Sequence, residues 1–197
     1  MRIAVVNLTA GGFSGGYHKY LQNIIPRISQ NPKVESLLIA SSFKINKDKM
    51  YWNSENITTI SCKPYRFINF SVDKDLIKEL DKFSPNVVYV PTERYFRYEK
   101  VPIVNMIQNM EPFVRKIVKN SSIIESTKNY IKAFDGLKGI KSSSHIIAIS
   151  KFVRDYLINI CEISPNQIGL VYHGVNPIET KISSKPKHFP ENIKFLF

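Results

Sequence analysis

The pattern that most constrains the fold is an alternation of short apolar runs with longer segments of helical periodicity. Such runs, apolar on both faces and separated by helices, are typical of parallel strands buried between two helical layers. The predicted strands are residues 3–8, 36–40, 57–61, 87–90, 103–107, 146–149 and 168–172. The sequence therefore predicts an α/β fold with a doubly wound, mostly parallel sheet and helices on both faces.

Helical signals lie between several of these runs. Apolar residues from 17 to 28 recur at helical spacing, and Pro26 is expected to kink or tighten the last turns of that helix. Ser71 is predicted to cap a second helix, which ends at Ser84 before a proline. Ser150 is predicted to cap a helix after the sixth strand.

A long basic stretch, residues 111–141, has a helical pattern interrupted near its middle, so it predicts either two helices or one bent helix. It carries Arg115, Lys116 and Lys119. These side chains could bind a phosphate or a membrane surface, or could form an ordinary solvated face.

The charge balance favours anionic partners. The 197 residues contain 28 Lys and Arg against 16 Asp and Glu, a net charge of +12. That field attracts phosphorylated ligands, anionic lipid headgroups and nucleic acids alike. A solvated, lysine-rich surface without any such partner is the alternative.

Targeting and cysteine signals are weak. No apolar run approaches the roughly 18 residues of a membrane span, and the first apolar run is shorter than a signal-peptide core. Cys62 and Cys161 are too few and too far apart in sequence for a disulfide framework, so free buried thiols are expected. The chain is predicted to be cytoplasmic.

A glycine-rich loop follows the first strand, with glycines at positions 11, 12, 15 and 16. Glycines permit positive φ angles and close backbone approach, as a phosphate-binding turn before a helix requires. Tyr17 and His18 stand where a Walker A loop needs Lys and Ser or Thr, and the dinucleotide pattern does not fit these spacings. A tight turn without a ligand is the alternative.

Four segments in order resemble the N-terminal half of family 4 glycosyltransferases, which are retaining enzymes of the GT-B fold. They are GFSGGY (12–17), VPIVNMIQNMEP (101–112), SSHIIAISKFVR (143–154) and YHGVN (172–176). The resemblance covers residues 1 to about 177. It implies two Rossmann-like domains facing a cleft, with the acceptor held mostly by this domain and the nucleotide-sugar donor mostly by the other.

The resemblance also implies roles for particular residues. Gly15 and Gly16 are expected to contact the donor, and Tyr17 the acceptor. Gln108 and Asn109 occupy the place where the family usually has a histidine, so they can hydrogen-bond an acceptor hydroxyl but cannot act as a general base. The residues expected to border the cleft near the interdomain hinge are His173, Gly174 and Asn176.

Further acceptor contacts are predicted from position in the fold. Glu93 and Arg94 follow the fourth strand at its carboxyl end, where open α/β sheets bind ligands. His18 lies just inside the first helix, where a surface position is the alternative. No metal-ligand spacing is present, and neither a metal nor a cofactor is predicted.

The sequence thus predicts residues 1–177 as the acceptor-side domain of a sugar-transferring enzyme. Residues 178–197 are predicted to be an interdomain linker and the first strand of a missing donor domain. The full enzyme is expected to transfer a sugar to a glycan or lipid-linked acceptor and to associate peripherally with an anionic membrane. This chain alone is expected to be inactive. The alternative is a basic Rossmann-like module that binds nucleic acid or another polyanion.

Overall fold

The computed structural model describes residues 1–8, 15–41, 54–63, 73–113 and 123–174, except for the side chains of residues 15, 18 and 123–125. Within these ranges a seven-stranded sheet has the order β3-β2-β1-β4-β5-β6-β7, and every neighbouring pair is parallel. The strands are β1 (Arg2–Asn7), β2 (Ser36–Ser41), β3 (Ile57–Ser61), β4 (Val87–Val90), β5 (Ile103–Ile107), β6 (His145–Ala148) and β7 (Ile168–Leu170). The predicted doubly wound α/β fold is confirmed.

The helices of the described ranges are α1 (Gly15–Ser29), α2 (Lys74–Phe83), α3 (Ile123–Ser142) and α4 (Lys151–Asn159). Short 3₁₀ turns span Glu111–Phe113 and Pro165–Gln167. None of the helices within the described ranges combines the length and apolarity that crossing a membrane requires.

Two of the predicted helix ends are confirmed and one is wrong. The Ser150 hydroxyl accepts a hydrogen bond from the Val153 N–H at 3.2 Å, which caps α4 as expected. Ser84 ends α2 in the left-handed conformation, with φ 50°. The N-cap of α2, however, is Asp73, whose carboxylate accepts from the Asp75 N–H at 3.1 Å. Ser71, the predicted cap, lies outside the described residues.

Alternate residues of each strand enter the cores on the two faces of the sheet. On one face, α1 packs its Leu21 and Ile25 against a cluster that includes Val5 of β1. On the other face, α2 covers the strands that contain Ala4 and Val6, while α3 and α4 cover β5 to β7. Both faces of the central strands are covered, which explains their continuous apolar runs in the sequence, whereas the edge strand β3 has exposed Thr58 and Ser61.

The connection between β4 and β5, residues 91–102, folds back over the sheet without forming a helix. The buried Asn105 side chain of β5 holds this connection, since its amide donates to the Thr92 and Arg94 carbonyls at 2.8 Å each. The hydroxyl of Ser143, just after α3, donates to the side-chain oxygen (Oδ1) of Asn105 at 2.7 Å. One asparagine therefore ties the connection to both β5 and the end of α3.

Both cysteines are buried free thiols, as predicted. Burial raises the pKa of the Cys62 thiol to about 11 and also raises that of Cys161. Both thiols therefore stay protonated near neutral pH.

Several predictions lie outside the described residues. Arg115, Lys116 and Lys119 fall between the Glu111–Phe113 turn and α3. The predicted linker and final strand, residues 178–197, also lie outside these ranges. Those parts of the interpretation stay predictions.

Candidate active site at the carboxyl edge of the sheet

The strand order reverses between β1 and β4, because β1 connects to β2 on one side while β4 lies on its other side. In open α/β sheets, ligands bind outside the carboxyl ends of the strands at such a reversal point. The start of α1 and the residue that follows β4 lie at this position. The strand order thus indicates a ligand site at the carboxyl edge of the sheet, where the sequence also predicted contacts from the glycine-rich loop and Glu93.

Buried polar groups fix the junction between β1 and α1. The Tyr17 hydroxyl donates to the Asn7 side-chain oxygen at 3.1 Å, and the Asn7 amide donates to the Ser41 hydroxyl at 3.2 Å. Burial, with the nearby Tyr20 and Glu93 adding to it, raises the pKa of Tyr17 far above its ordinary value. Tyr17 therefore remains a neutral hydrogen-bond donor that anchors the start of α1, in addition to any contact with an acceptor.

Gly16 lies in the first turn of α1 and is exposed. Among the described residues beyond the helix's own backbone, no heavy atom lies within 4 Å of the position that a Cβ would occupy there, so the described structure leaves open space beside the residue. The expectation that the loop glycines need positive φ is wrong for Gly16, which is helical and does not have a positive φ. Gly11 and Gly12 lie outside the described residues.

The first turn of α1 carries no acidic residue. Its N–H groups and the positive end of the helix dipole therefore face the edge of the sheet without a carboxylate of that turn to neutralise them. Such a helix start favours an anion, and its open space beside Gly16 leaves room for one. Gly15 begins this helix, and His18 lies within it.

Side chains on the face of the sheet that α1 covers join this helix to β4 and to the residues after β7. The hydroxyl oxygens of Tyr20 and Tyr89 are 2.6 Å apart, and the Tyr89 hydroxyl lies 3.3 Å from the Met106 sulfur. The rings of Tyr20 and His173 are 5.2 Å apart and tilted by 55°. The contact brings His173, which follows β7, next to α1, so both lie along one edge of the domain.

Gly174, the next residue, is exposed, and no heavy atom of the other described residues beyond its chain neighbours lies within 4 Å of its Cβ position. It resembles Gly16 in having open space beside it. Asn176, the third residue predicted at the cleft border, lies outside the described residues.

Glu93 is a half-buried carboxyl group just beyond β4. Burial raises its pKa, and the neighbouring Asp135 raises it further, while Arg94 and Lys132 act in the opposite direction. The charge of Glu93 in turn affects Tyr17 at the start of α1. The structure therefore brings two predicted acceptor contacts, Tyr17 and Glu93, close to each other.

The raised pKa of Glu93 predicts a pH-dependent effect of Glu93→Gln on stability. Because the folded-state pKa lies above the unfolded-state value of roughly 4.3, ionisation of this carboxyl group destabilises the folded state. At about pH 3.5 the Glu93 carboxyl group is mostly neutral in both states, so the charge of this group gives Glu93→Gln no gain in the free energy of unfolding. As the pH rises through the folded-state pKa toward about 7, Glu93→Gln should become more stable than wild type.

Urea unfolding of both proteins across this pH range measures the difference in the free energy of unfolding. Glu79→Gln, which removes an exposed carboxylate from α2, is the matched control. A difference that stays constant with pH, or that shrinks as the pH rises, would contradict the buried environment assigned to Glu93.

The residues after β5 differ in their roles. The Gln108 amide donates to the Pro91 carbonyl at 3.3 Å and is half-exposed, so it links the carboxyl ends of β5 and β4. The Asn109 side-chain oxygen accepts from the Glu111 N–H at 2.9 Å. Asn109 therefore caps the 3₁₀ turn, whereas Gln108 lies at the edge beside the β4 connection.

Arg94 enters the site through its backbone. Its carbonyl oxygen accepts one of the two hydrogen bonds from Asn105, which fixes the chain next to Glu93. Within the described ranges, no group of three or more His, Cys, Asp and Glu side chains could hold a metal ion.

Comparison with known proteins identifies no family. No protein-family model matches the chain, and no curated protein matches it either. The solved structures with a similar chain path include a glycosyltransferase from Rickettsia africae, with 16% identity and a TM-score of 0.49 over 89% of this chain. The lipopolysaccharide outer core galactosyltransferase WaaB has 13% identity and a TM-score of 0.48 over 89% of this chain.

The wall teichoic acid polymerase TagF has 10% identity and a TM-score of 0.42 over 85% of this chain. The matches cover 43%, 46% and 37% of those three proteins, respectively. The chain therefore spans less than half the length of each. At such similarity these structures do not identify an activity.

Proposed function

We propose that this chain is the acceptor-side domain of a retaining GT-B glycosyltransferase that transfers a sugar from a nucleotide donor to a glycan or lipid-linked acceptor. The observation that carries the proposal is the gathering of Gly16, Tyr17 and Glu93 at the reversal point of the sheet. Gln108 and His173 line the same carboxyl edge. Two of the segments that resemble family 4 enzymes, residues 101–112 and 143–154, pass through this edge after β5 and after β6, which supports the proposal.

The two sides of the edge suit different ligands. The start of α1 at Gly15 and Gly16 offers N–H groups and open space to a donor phosphate. Glu93 and Gln108 offer hydrogen-bonding groups to sugar hydroxyls of an acceptor. We assign most donor contacts to a second domain that this chain does not include.

For the chemical step we propose attack from the face on which the leaving group departs. The acceptor hydroxyl oxygen forms a bond to the anomeric carbon while the bond from that carbon to the nucleoside diphosphate breaks. The departing phosphate oxygen takes the proton of the acceptor hydroxyl. Because the new bond forms on the face that the phosphate leaves, the configuration at the anomeric carbon is retained. This chain's contribution is to bind the acceptor and to orient its hydroxyl toward the anomeric carbon. Holding two reactants in a reactive geometry lowers the barrier of the transfer step. Neither a metal nor a cofactor is proposed to take part.

The division between two domains predicts that this chain alone binds nucleotide sugars weakly and does not transfer them. Calorimetric titration with UDP-, GDP- and ADP-sugars should show weak binding at most. A polypeptide that joins this domain to the proposed donor domain should transfer sugar, with the anomeric configuration of the product retained by NMR. Robust transfer by the 197-residue chain alone, or an inverted product, would contradict the proposed mechanism.

The net charge of +12 favours one rival, a domain that binds nucleic acid or another polyanion. Binding to nucleic acids would then weaken steeply with salt and show little preference for sequence. Such binding, without any response to nucleotide sugars in the joined polypeptide, would favour the rival.

We propose that the enzyme lies in the cytoplasm, in peripheral contact with the inner, anionic face of a membrane.

A further inference from the structure

One face of α3 exposes several large apolar side chains to solvent. Tyr130, Ile131 and Phe134 are 75%, 42% and 57% exposed. Their spacing of three and four residues places them together on one side of the helix, with Lys138 and Lys141 continuing the same side. We call these five residues the α3 ridge. Clustered exposed apolar groups of this kind mark interaction surfaces more often than isolated ones do.

An open groove of about 500 Å³ runs beside the ridge. It is lined by Phe134, Leu137, Lys138, Lys141 and Ser142. Its walls are mainly apolar at the aromatic end, and its lysines lie toward the end of α3. The surface thus combines an apolar strip with cationic side chains along it.

The exposed charges of the described α3 side chains, on the ridge and beside it, have one sign. Among the described side chains of α3, residues 126–142, the exposed charged groups are lysines: Lys128, Lys132, Lys138 and Lys141. The acidic residue in this span, Asp135, is 4% exposed and faces the domain interior. The Lys138 Nζ lies 4.1 Å from the centre of the Tyr95 ring, and the charge of Lys132 lowers the pKa of Glu93. Lys141 is therefore the better choice for testing the charge of the ridge alone.

We propose that the α3 ridge docks on the surface of an anionic lipid bilayer. Aromatic and aliphatic side chains on one helix face can enter the boundary between headgroups and acyl chains while lysines contact anionic headgroups. Lysine stems can lie along this boundary with their charges at the headgroups. This inference names the surface responsible for the peripheral membrane contact in the proposed function, on which it rests.

A second copy of the chain fits the ridge less well. In a symmetric dimer the same surface patch would meet itself, so lysines would face lysines across the contact. The exposed described side chains of α3 supply no carboxylate to pair with them. An anionic bilayer provides the complementary charge that a second copy lacks.

The direction of α3 relates the ridge to the candidate active site. α3 follows β5 and precedes β6, which run parallel, so the helix leads from the carboxyl edge of the sheet back to the amino edge. Tyr130 is thus closer to the carboxyl edge than Lys141 is. A bilayer along the ridge would flank the edge where the acceptor is expected, which suits an acceptor held in that bilayer by a lipid.

Co-sedimentation with vesicles tests the proposal on the 197-residue chain. The chain should bind vesicles of phosphatidylcholine with about 30% phosphatidylglycerol and should bind pure phosphatidylcholine at least about tenfold more weakly. Salt should reduce the difference, because the attraction to anionic headgroups is screened. Equal binding to both vesicle types, or binding to neither, would overturn the inference.

Variants of the ridge localise the contact. Tyr130→Ser with Phe134→Ser should weaken binding to the anionic vesicles by about tenfold or more. Lys141→Gln should weaken it about fivefold at low salt, since a lysine near the surface contributes about 1 kcal/mol. Lys151→Gln with Phe152→Ser on α4 is the matched control, because Phe152 is 61% exposed but lies off the ridge. The control should bind like wild type.

Further outcomes distinguish the other occupants and the proposed function. Ridge variants that bind vesicles like wild type would overturn the inference, as would a ridge that instead forms dimers or binds an RNA oligonucleotide. All variants change exposed side chains, and unchanged thermal unfolding checks that they fold. Transfer to a water-soluble acceptor by the joined two-domain polypeptide does not need the bilayer. Failure of vesicle binding with such transfer intact would therefore reject the ridge alone.

Discussion

Gly16→Val should lower sugar transfer by about 100-fold or more in the joined two-domain polypeptide while leaving the domain folded. The variant adds a branched side chain at an exposed position where the space within 4 Å of the Cβ is open. The new methyl groups would occupy the region in front of the α1 start, where we expect donor phosphate or sugar. Gly16 is helical and has no positive φ, so valine there causes no backbone strain of that kind.

The comparison that isolates this effect is Gly169→Val in β7. The nearest heavy atom to a Cβ at Gly169 is the Ile146 carbonyl oxygen at 4.0 Å, so valine also fits there without a clash. Steady-state kcat/KM and thermal unfolding of both variants separate blocked binding from loss of structure. Full activity of Gly16→Val would show that no ligand approaches this residue. A large fall in the unfolding temperature of Gly16→Val would instead show that the first turn of α1 needs glycine at this position for folding.

The strands are the part of the fold that the sequence predicts best. All seven predicted strands overlap the observed ones, and their ends agree within two residues. The physical reason is local: the central strands are covered on both faces, so they appear in the sequence as continuous apolar runs between turn residues. The parallel, doubly wound order follows from the helices that alternate with them.

The start of α2 shows where local patterns fail. Ser71 and Asp73 are both suitable N-cap residues, and their spacing alone does not choose between them. Asp73 caps the helix and, with its other oxygen, accepts a hydrogen bond from the Lys63 N–H at 2.7 Å. That second contact joins α2 to the end of β3, and a contact between distant segments is not visible in the pattern of one helix.

The position of the candidate site could be predicted from the sequence, but the hydrogen bonds that hold its residues in place could not. Gly16, Glu93 and Gln108 could be placed at the carboxyl edge because parallel strands all end on the same side. The role of Asn105 in holding the connection before β5 was missed, because it depends on segments that the fold brings together. The available signal was an asparagine inside an otherwise apolar run, since a buried amide needs partners.

The packing of α3 on the connection after β4 was also missed, and it predicts a strong effect of one methyl group. A Cβ at Gly139 would overlap the Glu93 carbonyl oxygen and would lie 2.8 Å from both the Arg94 carbonyl carbon and the Tyr95 nitrogen. These are backbone atoms, so no change of side-chain rotamer can relieve the overlap. Asn105 holds the Arg94 carbonyl in place, which limits how far the connection can shift.

Gly139→Ala should therefore destabilise the domain by about 2–3 kcal/mol, although alanine is favoured over glycine in a helix by about 1 kcal/mol. For a chain of this size the unfolding temperature should fall by about 8 °C. Gly16→Ala is the matched control, because it makes the same change in a helix with no heavy atom within 4 Å of the new Cβ. Thermal and urea unfolding should show the control as stable as wild type or slightly more so. If Gly139→Ala matched that control, α3 would not press against this connection, and the position of Glu93 beside α3 would have to be revised.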